Sequence, residues 1–509
     1  MGAFIVIILG GCVLSTPSHR PVYNPDITKI VTVNHTNSDH NGLPLSTRPP
    51  KFTPPPTRKP GQPILTPTPD APRTLPTLRE TEEVYTVTSG DTLFLISKRY
   101  GVPLSMLIEA NNLANPDILE VGQVLTIPAP EPTGTGPAYK IIPDSELVYG
   151  PMTVFFDMDD FVRKSGGYLS SYREVVDDFE LQGSEIIYRV SREFSVNPRL
   201  LLALLEHQSG WVSKDQVSPF NRQYPLGYPD KNREGLWRQL NWAANQLNYG
   251  YYTWKANVLP AFYLTDGAVI LPSVNLNAAT IGVQHFFAQL HGLDQWESNV
   301  SFGGFSETYH RMFGYPFDLA IEPLLPDDLE QPNLQLPFES GVTWSFTGGP
   351  HGGWGDGSAW AALDFAPPGE APGCVSSDEW VTAAASGLVT YSGDGIVIID
   401  LDEDGFAQTG WTLFYLHIEA RDRIPANTRV LAGDRIGHPS CEGGLSSGTH
   451  VHIARRYNGE WIEAAGEIPF VMDSWEAQSS GELYNGYLVK DGYVIEAWDR
   501  RMSENQIQR

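Results

Sequence analysis

Four histidines and one aspartate in the last third of this 509-residue chain have types and spacings that could do chemistry together. In "GTHVHIA", His450 and His452 stand two positions apart in a run that alternates like a strand. Period-two alternation turns both imidazoles to one face and Val451 to the other. Such a pair can bind a metal, or one ring can bind it while the other handles protons. Alone the pattern is weak, because paired histidines also occur on plain strand surfaces. His417, in "FYLHIEA", follows large apolar residues and by itself reads as a core histidine. In "GGPHGGWGDGSAWAALDFAPP", His351 and Asp364 flank a Gly-rich segment, 352–357. That segment is flexible enough to fold back, so sequence distance does not stop the two from sharing an ion.

Together the set is more specific. "LDFAPP", "YLHI", "VLAGDRIG" and "SSGTHVH" follow one another with strand-like runs between them. This order resembles the lysostaphin-type zinc metallopeptidases, which cut peptide bonds in bacterial cell walls. In the common form of that family a histidine lies four residues before the metal-binding aspartate. Here that position holds Trp360, which cannot ligate zinc and would suggest an inactive scaffold. The staphylolysin-like and β-lytic branch instead places its first histidine upstream, before a turn-rich insertion, and residues 348–365 have that layout.

The resemblance covers roughly the last 150 residues. It implies His351, Asp364 and His452 as zinc ligands, with His417 and His450 as the proton-handling pair, their roles unassigned. Two imidazoles and one carboxylate suit Zn²⁺ and leave a fourth position for water, which the metal acidifies. His438, in "IGHPS", matches no ligand position and reads as structural. "DLDEDG" at 400–405 looks like the start of a calcium loop, but Trp411 stands where a bidentate Glu should be. A hairpin turn is the better reading there.

The rest of the chain must position these residues. Its length implies three or four domains. The net charge of −26 argues against a grip on nucleic-acid phosphates. Cys12, ending "MGAFIVIILGGC", resembles the lipidated cysteine of a bacterial lipoprotein signal (segment 1–12), although basic residues before the apolar run are missing. If Cys12 carries lipid, Cys374 and Cys441 remain as one pair, either disulfide-bonded or as two reduced core thiols. Residues 13–82 are Pro- and Thr-rich and read as a disordered linker giving reach.

Residues 84–129 contain "YTVTSGDTL", "ISKRYGV", "LIEANNL" and "VGQVLTIP". They resemble a LysM module, a small α+β (βααβ) unit that implies binding to N-acetylglucosamine-containing glycans. Residues 135–330 read as mainly α, with "YREVVDDFELQGSEIIYRVSREF" at helical spacing, and with Asn197 capping and Pro198 opening "VNPRLLLALLEHQSGW". This second helix resembles the catalytic helix of lysozyme-like lytic transglycosylases. However, the acid position falls on Gln208, which cannot protonate a glycosidic oxygen, and Glu206 lies on another helix face. A degenerate lysozyme-like domain is the expectation, and His285 reads as structural. Residues 331–480 alternate in short apolar runs and read as an antiparallel, mainly β domain. Residues 481–509 read as a C-terminal hairpin, turning at Lys490-Asp491-Gly492, and a tail.

The whole is expected to be an extracytoplasmic, lipid-anchored zinc metalloendopeptidase. Its partner is peptidoglycan, it touches membrane only through the lipid, and it binds no nucleic acid. The rivals are a non-catalytic wall-binding or hydrolase-activating lipoprotein, and a lytic transglycosylase acting through the helical domain.

Overall fold

The computed structural model describes residues 67–116 and 118–509, together with Phe52. The expected signal segment with Cys12, and most of the expected linker, lie outside the described residues. Among the described residues no helix is long and apolar enough to cross a membrane.

Strands β1 (Glu83–Thr86) and β2 (Val124–Ile127) pair antiparallel. Helices α1 (Leu93–Tyr100) and α2 (Leu104–Ala110) lie between them in sequence. Leu93, Ile96, Leu107, Leu125 and Ile127 close a small core of their own. Leu95 on α1 is exposed, and Leu113 lies beyond α2. Asp91 closes the turn by accepting from the Thr88 N–H, while Thr92 caps α1 through Leu95 N–H.

The helical region departs from expectation at its start. Residues 173–182 form a hairpin, β3 (Arg173–Val176) and β4 (Phe179–Gln182), and not a helix. Asp177 and Asp178 both have positive φ, 48° and 69°, which is the two-residue turn that matches strand twist. The apolar spacing of "VVDDFEL" fits either period, and the Asp-Asp turn decides it. Helix α3 (Gly183–Phe194) follows, opened by a reciprocal Gln182/Glu185 cap. Next come α4 (Pro198–Ser209), with Asn197 accepting from Arg199 N–H, then α5 (Leu236–Lys255) and α6 (Ala278–Ala288). His285 is buried in α6 and stacks on Tyr249 at 4.8 Å, as a structural histidine would.

The end of the expected linker is folded onto this region. Asp70 N–H donates to Asn275 O, Arg73 N–H to Val274 O, and Asp70 pairs with Lys140. The Arg73 guanidinium lies 4.5 Å from the centre of the Trp254 ring.

The C-terminal region is built on a nine-stranded sheet. Its strands are β5 (Thr343–His351), β6 (Ala362–Ala366), β7 (Gly387–Gly393), β8 (Ile396–Asp400), β9 (Trp411–Leu416), β10 (Arg429–Val430), β11 (Val451–Tyr457) and β12 (Glu460–Trp461). Strands β13 (Trp475–Ser479), β14 (Gly486–Lys490) and β15 (Tyr493–Glu496) form a separate meander, and β16 (Gln506–Gln508) returns to the large sheet. The order across that sheet is β10-β7-β8-β9-β11-β6-β5-β16, with β12 beside β11, and the pairs are antiparallel.

Side-chain alternation divides the sheet cleanly. Ala362, Ile396, Ile398, Phe414, Leu416, Ala454 and Trp461 join one core with the helical region. Leu363, Val397, Ile399, Leu413, Tyr415 and Ile453 point into a second core on the other side. The segment expected to be a separate tail belongs to that second core, through Leu488, Ile495 and Ile507. Strand β16 pairs with β5 through Ile507 opposite Trp344, so 481–509 is part of the same domain.

Candidate metal centre

His452 on β11 faces Asp364 on β6 across the ladder, and Gly348 on β5 faces Asp364 from the other side. The β5–β6 register shifts on both sides of Gly348, a bulged geometry that re-aims side chains at a sheet rim. Gly348 is required here, because a Cβ would come within 2.5 Å of Asp364 Oδ2. His351 ends β5, and segment 352–361 loops back to bring it to Asp364.

Three donor atoms converge. His351 Nε2 lies 3.0 Å from His452 Nδ1, and each lies 3.3 Å from Asp364 Oδ1. The opposite ring nitrogens fix the tautomers. His351 Nδ1–H donates to Gly349 O at 2.8 Å, and His452 Nε2–H donates to Gly353 O at 3.1 Å. A carbonyl only accepts, so the lone pairs of His351 Nε2 and His452 Nδ1 both point inward. Asp364 Oδ1 is buried and receives no well-aligned hydrogen bond.

Inward lone pairs around an unsatisfied carboxylate oxygen are unfavourable unless a cation or proton sits among them. For a small tetrahedral cation with bonds of about 2.0 Å, neighbouring ligand atoms are about 3.3 Å apart. The donor set and its spacing therefore fit a metal, and His351, Asp364 and His452 could hold one. Burial raises the Asp364 carboxyl, but His351 and His450 overcome this and hold it well below the usual carboxylate range. Burial lowers His351, and Asp364 reverses the effect so that the net shift is upward, whereas burial wins at His452.

Two more histidines stand beside this trio. His450 Nε2 is 3.7 Å from Asp364 Oδ1, and its Nδ1–H donates to Gly448 O. His417 lies 4.5 Å from His450 between ring centres, and its Nδ1–H donates to Glu442 O. His417 lies just beyond the strand, which ends at Leu416. It follows β9 with φ +64°, a left-handed conformation uncommon outside glycine. Burial, then His450 and His452, lower its imidazole to about 3.

Asp364 and His452 share the alternation of Ala362 and Ala454, so this group lies on the face that packs against the helical region. That region touches the site's own loop. Asn245 of α5 accepts from Gly357 N–H at 2.9 Å and donates to Asp356. Sequence reasoning missed Asn245, and it missed Tyr484, whose ring stacks on His351 at 4.3 Å. Neither sits in a motif, and only the tertiary fold brings them in.

The remaining sequence candidates fall elsewhere. Cys374 and Cys441 are disulfide-bonded, joining the segment after β6 to the loop that carries His450. His438 donates to Glu379 O and packs against Trp380 at 3.9 Å, away from the trio. Trp360 accepts from Ala464 N–H through its carbonyl. Asp400, Asp402 and Asp404 cluster, but Asp400 accepts from Asp402 and Gly405 N–H, and Asp404 from Phe406 N–H and Thr409. They shape the β8–β9 turn, and burial with Asp402 pushes the Asp400 carboxyl up to about 9. Glu206 accepts from Val212 N–H, Ser213 N–H and Ser213 Oγ–H, the role of a loop clamp.

Known proteins resemble these parts. Residues 85–128 match the family model for the LysM domain. Residues 140–325 match the model for the LasA N-terminal domain, which is what the matches identify in the region expected to be lysozyme-like. Protease LasA of Pseudomonas aeruginosa is 23% identical over 354 residues, covering 64% of this chain and 75% of that protein. The β-lytic metalloendopeptidase of Lysobacter enzymogenes is 26% identical over 166 residues, covering 31% of this chain and 89% of that protein. Among solved structures, the M23 metalloprotease pseudoalterin aligns with 24% identity and a TM-score of 0.29, over 35% of this chain and 99% of its own. The chain thus carries a LysM domain and a LasA N-terminal domain, followed by a domain similar to LasA and the β-lytic metalloendopeptidases.

Proposed function

We propose that the protein is an extracytoplasmic zinc metalloendopeptidase that hydrolyses peptide bonds of peptidoglycan, held on glycan by its LysM domain. The observation that carries this reading is the convergence of His351 Nε2, His452 Nδ1 and Asp364 Oδ1, with His417 and His450 alongside. Under this reading His351, Asp364 and His452 hold zinc, and the two inward imidazoles and one carboxylate are its protein ligands. When bound there, zinc supplies a Lewis acid that polarises a peptide carbonyl and acidifies water.

The chain's own groups do the rest. Gly349 O and Gly353 O keep both ligating rings in the required tautomer. His417 stays neutral and offers Nε2 as the acceptor for the water proton, because Nδ1–H is tied to Glu442 O. His450 stands on the other side, with Nε2 3.7 Å from the Asp364 carboxylate. It hydrogen-bonds the carbonyl oxygen as negative charge develops, and the proton that His417 takes from the water passes to the departing amine. Lipidation of Cys12 would tether the enzyme at the cell envelope.

The test uses the full chain. Metal analysis should find one zinc per protein, and digestion of purified peptidoglycan should release peptide fragments by mass spectrometry. Asp364→Ala should lose both. A metal-free active enzyme, or fragments that persist in Asp364→Ala, would overturn the reading. New anhydro-sugar ends would point to the glycan-cleaving alternative, which the engaged carboxylate of Glu206 does not favour.

A further inference from the structure

The Cys374–Cys441 disulfide spans 67 positions of sequence and joins two short segments beside the metal centre. Cys441 is the middle residue of Ser440-Cys441-Glu442, and both of its neighbours hold the histidines that are not ligand candidates. Ser440 N–H and Oγ–H donate to His417 O at 2.7 and 3.0 Å, and Ser440 O accepts from His450 N–H at 3.3 Å. Glu442 O accepts from His417 Nδ1–H at 2.8 Å. This tripeptide therefore grips the main chain of both histidines and the ring of one.

The other half of the bridge holds the residue before His450. Thr449 N–H donates to Gly373 O at 3.1 Å. Val375 N–H donates to Thr449 Oγ at 2.8 Å, and Thr449 Oγ–H donates to Val375 O. Cys374 thus lies between the two residues that grip Thr449. Its segment is at the surface: Cys374, Val375 and Ser376 are exposed, and Arg501 fastens the run further back, at Pro367 O and Ala371 O. Hydrogen bonds on an exposed segment open locally at little cost, because water replaces them. The covalent bond opposes that opening, since it ties residue 374 directly to the tripeptide that holds both histidines.

The candidate metal ligands are anchored elsewhere. His351 Nδ1–H goes to Gly349 O, His452 Nε2–H goes to Gly353 O, and Asp364 sits opposite His452 within the sheet. None of these anchors belongs to 373–375 or 440–442. We infer that Cys374 and Cys441 are positioning residues for the proton-handling pair: their disulfide holds His417 and His450 in place relative to each other, and the metal ligands do not depend on it. The inference rests on the peptidase reading of the neighbouring centre, but one of its measurements needs no turnover.

The experiment compares wild type with the full-chain Cys374→Ser/Cys441→Ser variant. Peptide release from solubilised peptidoglycan at varied concentration should show kcat lower by about tenfold or more with KM within about threefold, the pattern of misplaced reacting groups. Zinc affinity, from competition with a chelator, should stay within about threefold. Thr449→Val keeps the disulfide, removes the Oγ bonds and should reproduce part of the kcat loss, while Thr449→Ser should retain wild-type kcat. An unchanged kcat in the double variant, or a matching loss of zinc, overturns the inference. Hydrogen exchange read by mass spectrometry should show residues 440–450 exchanging at least about tenfold faster in the double variant, with β6 and β11 unchanged. Equal rates, or faster exchange throughout the sheet, also overturn it. If wild-type protein releases no peptide while this local loosening is seen, the peptidase reading fails and the bridge still orders the histidine pair. If peptide is released and exchange is equal, the reverse holds.

Discussion

His351 Nε2 and His452 Nδ1 face each other at 3.0 Å with both lone pairs turned inward, because Gly349 O and Gly353 O occupy the opposite ring nitrogens. Without metal, a proton must fill that gap, and the Asp364 carboxylate draws it to His351. Zinc binding should therefore release a proton. Calorimetry in buffers of different ionisation enthalpy should show up to one proton released near pH 6, and less as the pH rises. His351→Gln should weaken zinc binding by roughly a hundredfold or more and abolish the proton release.

Gly348 supplies space for a ligand and takes no part in binding itself. A Cβ there would lie 2.5 Å from Asp364 Oδ2 and 2.9 Å from Asp364 Cβ, so the whole side chain must shift. Gly348→Ala should leave the fold intact by circular dichroism and reduce zinc affinity at least tenfold, since ligand atoms tolerate only tenths of an ångström.

Asn245 links the helical region to the metal loop. Gly355 and Gly357 pass so close that a Cβ on either would meet Asn245 atoms at 2.7 and 2.1 Å. Asn245→Ala removes two hydrogen bonds and should cost about 1–2 kcal/mol of stability. It should also weaken zinc binding several-fold, because Gly353 O, which orients His452, lies on the same loop. Titration with a fluorescent zinc chelator measures that change, and an unaltered affinity would show that the contact is only structural.

His417 predicts a pH dependence. Its folded value of about 3 lies below the ordinary 6.5, so unfolding takes up a proton between these limits. Stability of the metal-free protein should fall as the pH drops through that window, by about 1.4 kcal/mol per pH unit from this residue. His452 acts in the same direction and His351 opposes it. The comparison is therefore the difference in slope between wild type and His417→Asn, read from denaturant midpoints at pH 4 to 6.5.

The local signals in the sequence were strong where one residue type had one physical meaning. Asn197 and Pro198 mark the start of α4, and the alternation in "THVHIA" puts His450 and His452 on one side of Asp364. The hairpin at 173–182 was misread because its apolar residues satisfy both periods, and only the paired positive φ values of Asp177 and Asp178 separate them. The bend at His417 has no clear sequence signal, since a positive φ is uncommon for any residue but glycine and the apolar run before His417 reads as continuous strand. Asn245 and Tyr484 were invisible for another reason: their contacts exist only after distant segments meet.

The shared packing of the helical region and the sheet changes what counts as a unit of this protein. The LysM core is closed on itself, whereas Ile396, Ile398, Phe414 and Trp461 are covered by helices from a different stretch of chain. Helices and sheet should therefore melt together while LysM melts apart, giving two cooperative steps from three sequence modules. A damaging change deep in α5 would then be inherited as a peptidase defect, even though no atom of the metal centre had been altered.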